Sequence, residues 1–331
     1  MHAQPGDRIV GDVDERALEL TAVDPLDLPC VAVPPLPKRP TGADVVRAAV
    51  ARSVRELFAH VPLARQGTDP EGVHQARVAT RRMRSDLRTF EPLVDKNWAH
   101  QLRAELRWLA AELGRVRDAD VLGEHLSAVL ATHAEIDSRA GHEILALLAR
   151  QRDRDHLDLV GHLADGGASA LFGHLMAAAD RPCLRRRSNR PARDVLPPLV
   201  ASSWVELRAG VDRLGADPPD AALHEVRILA KRARYAAEAV APALGKEAER
   251  FARAATSIQN TLGDLHDAAV AADWLEHTAA PRLSIGAVFA AGRLAQQLHT
   301  DAILDRTTWQ RAFEKMQRHS AWLAGQRAGK R

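Results

Sequence analysis

Aromatic side chains are scarce in this sequence, with six Phe, six Trp and one Tyr making up 4% of 331 residues. Sheets draw on aromatic and β-branched residues, so this scarcity and the absence of any clear strand run argue against a β-rich fold. Cysteine is nearly absent too. Cys30 and Cys183 lie far apart, each beside a proline, and belong to no CxxC pair. A disulfide scaffold and a zinc ribbon are therefore disfavoured, and a reducing cytoplasm is expected. No apolar stretch approaches the roughly 18 residues a spanning helix needs, and the N-terminus has no basic region followed by an apolar one. The expectation is a soluble, cytoplasmic protein without membrane contact.

What remains is rich in Ala, Leu and charge, with 46% hydrophobic and 27% charged residues. That mixture suits an all-α fold. Closely spaced prolines mark two breaks, "PCVAVPPLPKRP" up to residue 40 and "RPCLRRRSNRPARDVLPPL" over Arg181–Leu199. Helical periodicity fills the rest, roughly over 42–61, 70–91, 95–113, 117–163, 197–214, 220–241, 246–262, 266–279, 282–300 and 303–327. The reading is a flexible tail at 1–41, whose partner is open, and one helical unit over 42–327. Within that unit, a first repeat spans about 42–180, a basic linker 181–196 and a second repeat 197–327, with a short tail at 328–331. The linker reads as a solvated basic loop, with a polyanion-touching arm as its rival.

The repeat itself is visible in two motifs. "VHQARVATRRMR", Val73–Arg84, matches "LHEVRILAKRAR", Leu223–Arg234, at an offset of about 150 residues, and "LGRVRDADV", Leu113–Val121, matches "LGDLHDAAV", Leu262–Val270. Duplication predicts two pseudo-symmetric antiparallel helical bundles. The charge is focused on the first motif. His74–Arg88 and His224–Arg234 together carry +7 against +3 for the whole chain, so everything else is about −4.

At about 100° per residue, His74, Arg77, Arg81, Arg84 and Arg88 share a sector of roughly 80°. Val73, Ala76, Ala79, Thr80, Met83, Leu87 and Phe90 fill the adjoining apolar sector. His224, Arg227, Lys231 and Arg234 repeat the cationic row, beside Leu223, Val226, Leu229, Ala230, Ala233, Ala237 and Val240. Asp86 and Glu225 fall on the other polar side with Arg82 and Arg232, which read as ordinary surface or structural cations. The first stripe is thereby left without counter-charge. Like charges at this spacing repel, and multivalent phosphate relieves the repulsion through charge-assisted hydrogen bonds. Two such rows facing each other across a central groove or pore suit a linear polyanion.

HxxRVxxRRxR followed some forty residues later by LGxxRD, with both motifs repeated, resembles the CHAD domain, the conserved-histidine α-helical family. The resemblance implies two bundles around a basic pore that binds inorganic polyphosphate, and association with polyphosphate granules. It implies polyphosphate contacts for His74, Arg77, Arg81, Arg84, His224, Arg227, Lys231 and Arg234, with Arg117 and His266 added from the later motif. Arg88 extends the first stripe. Many relatives carry a triphosphate-tunnel (CYTH) module ahead of the helices. Forty residues are too short for one and no ExExK occurs, so a stand-alone member is expected.

Asp118 and Asp267 read as partners of a cation or as helix caps after a glycine turn. "DLHD", Asp264–Asp267, has no second ligand set, so no metal and no cofactor are expected. The spacing of Trp309, Phe313 and Met316 indicates core packing. Non-catalytic binding leads. The alternatives are a metal-dependent phosphohydrolase acting on polyphosphate, and a nucleic-acid binder. The latter is disfavoured because the stripes contain no aromatic platform.

Overall fold

Side-chain caps decide where the first helices begin. Asp69, Asp95 and Asp137 each accept a backbone N–H from the first turn of the helix that follows, and Thr41 and Asp44 satisfy each other's backbone reciprocally. Pro70 adds its fixed φ to the start of the second helix. The resulting architecture, a computed structural model, describes residues 28–133, 137–304 and 308–324. Its helices are α1 (Gly42–Gln66), α2 (Pro70–Thr89), α3 (Lys96–Thr132), α4 (Ser138–Ala164), α5 (Gly166–Asp180), α6 (Ala192–Val195), α7 (Pro197–Asp212), α8 (Asp220–Leu244), α9 (Lys246–Asp273), α10 (Ile285–Leu304), α11 (Thr308–Arg318) and α12 (Ala321–Ala324). The described residues form no strand, and no helix among them is long and apolar enough to cross a membrane.

The periodicity placed most helices, but not their ends. The expected interruptions at 113–117 and 262–266 do not exist, because α3 and α9 run straight through Gly114 and Gly263. A helix-interior glycine costs only about 1 kcal/mol relative to alanine, which packing along a 37-residue helix overrides. A π-turn at Trp274–Ala279 and a short 3-10 turn at Ala280–Arg282 lead instead into α10. α5 was not anticipated. α1 ends where Gly67 turns left-handed at φ 68°.

The tail expected at 1–41 falls mostly on residues outside the described ones. Its last part, 28–41, lies against the protein: Leu28, Val31 and Leu36 pack on the core, and Ala192 donates to the Pro40 carbonyl at 2.9 Å. The basic linker is likewise pinned rather than loose. Asp95 donates to the Cys183 carbonyl (2.7 Å), Arg185 to Leu93 (2.9 Å) and Gly42 to Arg190 (3.0 Å).

Two apolar clusters hold the helices. The main core unites α1, α2, α5, α7, α8, α11 and the first parts of α3 and α9, so both sequence halves contribute to it. The second gathers the distal ends of α3 and α9 with α4 and α10. The apolar sector read on α2, Val73 through Phe90, is fully buried, and its counterpart on α8 is buried except for a half-exposed Leu229. α2 packs against α1, α3 and α8, while α8 packs against α7 and α9. This pairing turns the cationic edges of α2 and α8 toward one another. Trp309 and Met316 are buried as their spacing suggests.

Candidate functional site

Between α2, α3, α8 and α9 lies a cavity of about 370 Å³. α2 supplies His74, Arg77 and Arg81, α3 supplies Arg117, α8 supplies Arg227 and Lys231, and α9 supplies His266. Residues 150 positions apart in sequence therefore line one space. A second cavity, of about 330 Å³, shares Arg77, Arg81 and Lys231 with the first and adds Arg84, Arg88, Arg103 and Arg232. Among the described residues its lining holds seven Arg or Lys side chains and no carboxylate. A third, of about 560 Å³, shares Arg88 and Arg232 with the second and reaches the linker arginines Arg185 and Arg187. Outer, middle and linker cavities follow one another through shared side chains.

Each half uses the same device to aim its first arginine. A Cβ on Gly114 would touch the Arg77 guanidinium at 3.9 Å, and a Cβ on Gly263 would touch that of Arg227 at 3.7 Å. The glycines of the two LGxxRD-like motifs thus leave a flat seat on α3 and α9, across which the arginines of α2 and α8 lie. Arg77 donates to the Gly114 carbonyl (3.3 Å) and to Asp118 (2.6 Å). Asp118 is therefore a mid-helix partner of a cation and not a cap.

The first stripe is not free of counter-charge, contrary to the wheel. Arg77 pairs with Asp118 and Arg88 with Glu206 (3.8 Å), while Arg117 pairs with Glu124 (3.0 Å). These acids stand on α3 and α7 or further along α3, where a wheel drawn for α2 alone cannot register them. Among the described residues Arg81, Arg84, Arg227 and Lys231 make no ion pair, and Arg81 Nε and Arg227 Nε are buried without a hydrogen-bond partner. Burial, then Arg81 and Arg227, push the Lys231 amine down to about 7. Burial and neighbouring arginines also lower Arg84, and burial with Arg117 lowers His74. His266 is lowered by burial and then by His224. The groove holds more positive charge than its surroundings can solvate comfortably.

Two expected residues stand aside. His224 does not line the outer cavity; its ring contacts that of His266, with centroids 4.3 Å apart and planes tilted by 42°, and it borders a small side cavity. Arg234 bonds Glu238 (2.7 Å) and Gln259 (3.2 Å) and lines none of the three cavities. Arg232, read as an ordinary cation, lines two of them and pairs with Glu206 at 3.8 Å. Asp86, placed on a polar side, is buried beside Arg82 and Ser53, and burial pushes its carboxyl up to about 7. Arg103 and His125 were missed. At about 100° per residue, Arg103, Arg117 and His125 share a sector of roughly 80° on α3, and that shared face could have found them.

An Asp118→Asn variant frees Arg77 from an exposed ion pair worth at most about 1 kcal/mol. Anion affinity is expected to rise about threefold, read by calorimetric titration with tripolyphosphate. A fall would mean that Asp118 positions Arg77 instead of competing for it.

The CHAD domain profile matches residues 48–276. Over 298 residues, covering 87% of the chain, the sequence is 30% identical to uncharacterized proteins of Mycobacterium tuberculosis strains CDC 1551 / Oshkosh and H37Rv. The chain spans about half the length of these relatives, 54%. Among solved structures, PptA from Streptomyces chartreusis superposes with a TM-score of 0.70 at 24% identity, covering 83% of this chain and 99% of that one. The CHAD domain from the plant Ricinus communis gives 0.69 at 22%, covering 88% and 96%. These two likenesses concern the fold. Among the described residues no three His, Cys, Asp or Glu side chains cluster as metal ligands do.

Proposed function

The chain belongs to the CHAD domain family, a non-catalytic family generally linked to polyphosphate, and from that premise we propose that it binds inorganic polyphosphate in the groove between its two halves. The middle cavity carries this reading. Among the described residues seven cationic side chains and no carboxylate line it, and three of them, Arg81, Arg84 and Lys231, make no ion pair, a cost that a bound anion relieves. Because the outer and linker cavities continue it on either side, the ligand is a linear polymer and not a single phosphate group. The two halves are copies of one ancestral unit, which explains the matched glycine seats of Arg77 and Arg227. His74, Arg77, Arg81, Arg84, Arg88, Arg117, Arg227, Lys231 and His266 line the path. His224 acts through its contact with His266, and Arg234 through its place among the cations around Lys231.

Among the described residues no Phe, Tyr or Trp lines the three cavities, which favours polyphosphate over single-stranded nucleic acid with its stacking platforms. The single tyrosine, Tyr235, is buried, with Arg81 and Arg234 over its ring. Phosphoryl transfer would require a positioned base or a carboxylate-held metal, and binding alone requires neither. Residence on polyphosphate granules follows from the same reading.

Calorimetric titration with long-chain polyphosphate tests it. Binding is expected, weakening steeply as salt rises because a polyanion captured at many points releases counterions. Short single-stranded DNA at equal phosphate concentration should fail to displace the polymer. Displacement would favour the nucleic-acid reading, and consumption of polyphosphate in the presence of Mg²⁺ would favour the phosphohydrolase.

A further inference from the structure

The linker cavity begins at Arg88, the end of the first stripe, and draws the rest of its cations from outside both stripes. Arg88 and Arg232 enter it from α2 and α8, Lys96 from the start of α3, and Arg185 and Arg187 from the linker. Two carboxylates, Glu91 and Glu206, face these five cations, and both are already engaged. Glu206 is shared by Arg88 and Arg232 at 3.8 Å each, and Glu91 is approached by Arg103 at 3.6 Å. Lys96, Arg185 and Arg187 make no ion pair among the described residues.

The linker presents its two arginines from a fixed backbone. Leu184 bridges Val94 in antiparallel fashion, with Asp95 N–H on the Cys183 carbonyl and Arg185 N–H on the Leu93 carbonyl. Arg186–Asn189 then closes a 3-10 turn whose Ser188 is buried. Gly42 packs so closely there that a Cβ would meet the Ser188 carbonyl oxygen at 3.0 Å and Val195 at 2.8 Å. Arginines held this way have less backbone freedom to lose on binding than arginines on a loose loop.

We infer that the linker cavity is a distal subsite of the polyphosphate path, with Arg185 and Arg187 engaging phosphates that have already passed the middle cavity. This rests on the polyphosphate reading of the groove and adds a length requirement to it. From His74 to Arg88 the path follows fourteen residues of α2, about 21 Å at 1.5 Å per residue, before it reaches the linker. Tripolyphosphate fills the outer or middle cavity and never meets Arg185 or Arg187, whereas a long chain meets both. The protein therefore grips long chains at one more place than short ones, and the linker sets the difference.

The test compares the full chain with an Arg185→Ala, Arg187→Ala variant, titrated with tripolyphosphate and with long-chain polyphosphate. The variant should lose about tenfold in long-chain affinity and keep its tripolyphosphate affinity within about twofold. The slope of log affinity against log salt for the long chain should become shallower by about 1.5, roughly 0.7 to 0.9 for each arginine removed. An Arg250→Ala, Arg253→Ala variant removes equal charge from the exposed face of α9, outside all three cavities, and should leave both affinities unchanged. Equal losses in the two variants would overturn the subsite, since net charge alone would then explain them. An unchanged long-chain affinity in the linker variant would also overturn it, while leaving binding in the groove intact. Failure of the native chain to bind either polyphosphate would overturn the groove itself, and the subsite with it.

Discussion

Replacing Arg81 and Lys231 together by methionine is expected to lower long-chain polyphosphate affinity about a hundredfold or more, without lowering the thermal stability of the unliganded protein. These two side chains belong to both the outer and the middle cavity. Neither has an acidic partner among the described residues, and the Lys231 amine is surrounded by Arg81, Arg227, Arg77 and Arg234. In the empty protein each charge is therefore a cost. In the complex each becomes a charge-assisted hydrogen bond worth roughly 1.5–3 kcal/mol, so losing two removes at least about two powers of ten. Methionine keeps much of the apolar stem while discarding the charge. Calorimetric titration and thermal unfolding of the same variant read the two effects separately. Unchanged affinity would remove the groove as the binding site. A large drop in Tm would make the two cations structural.

Affinity is also expected to fall about tenfold between pH 7 and 8.5, and an Arg at position 231 should abolish most of that fall. The unliganded protein holds the Lys231 amine near 7 by burial and by Arg81, Arg227, Arg77 and Arg234, and His74, His125, His266, Asp118 and Asp267 line the same cavity. Phosphate oxygens beside the amine raise it again, so binding takes up a proton wherever free Lys231 is neutral. Binding is consequently strongest below pH 7 and weakens as pH rises through that value. His74 and His266, both lowered, strengthen binding further on mild acidification. Titrations near pH 8 in buffers of differing ionisation enthalpy should report uptake of about one proton in the native chain and far less in Lys231→Arg. No uptake in the native chain would refute this account. Unliganded stability moves oppositely: a lysine lowered by folding favours the folded state increasingly as pH climbs from 7 towards the unfolded value. The buried Asp86 carboxyl, raised to about 7, works in another window and costs stability as pH rises from about 4 to 7.

The helices and their buried faces were legible because burial and periodicity report the same thing. Val73 through Phe90 reads as one apolar face, and that face is buried. Local reasoning failed where a distant element decides the outcome. Gly114 and Gly263 look like stops, but each is a seat for an arginine from another helix. Asp86 looks solvent-facing on α2, until Arg82, Ser53 and Glu238 are found around it. Prolines near residues 29–40 imply a free tether, yet Leu28, Val31 and Leu36 have a surface to lie on. Most of the cationic path was visible as a repeated stripe. Its extension to Arg103 and Arg232 was not, and the linker was legible only as the rival reading of a basic loop, because their nearness to the stripes arises only when separate elements meet on folding.

α3 and α9 both cross from the main core into the second one, and they do so at equivalent places. On α3 the main core ends at Val116 and the second begins at Ala119; on α9 the corresponding residues are Leu262 and Ala268. Arg117 and Asp118, like His266 and Asp267, stand in that seam. Ten of the nineteen described side chains in the second cluster are alanine, which withdraws little apolar surface from water, so less apolar burial resists local opening at this tip. On the proposed reading, a polymer lying across the outer cavity also clamps the seam at the base of that tip. By reciprocity, the factor by which it suppresses the tip's breathing is the factor by which an opened tip would loosen its hold.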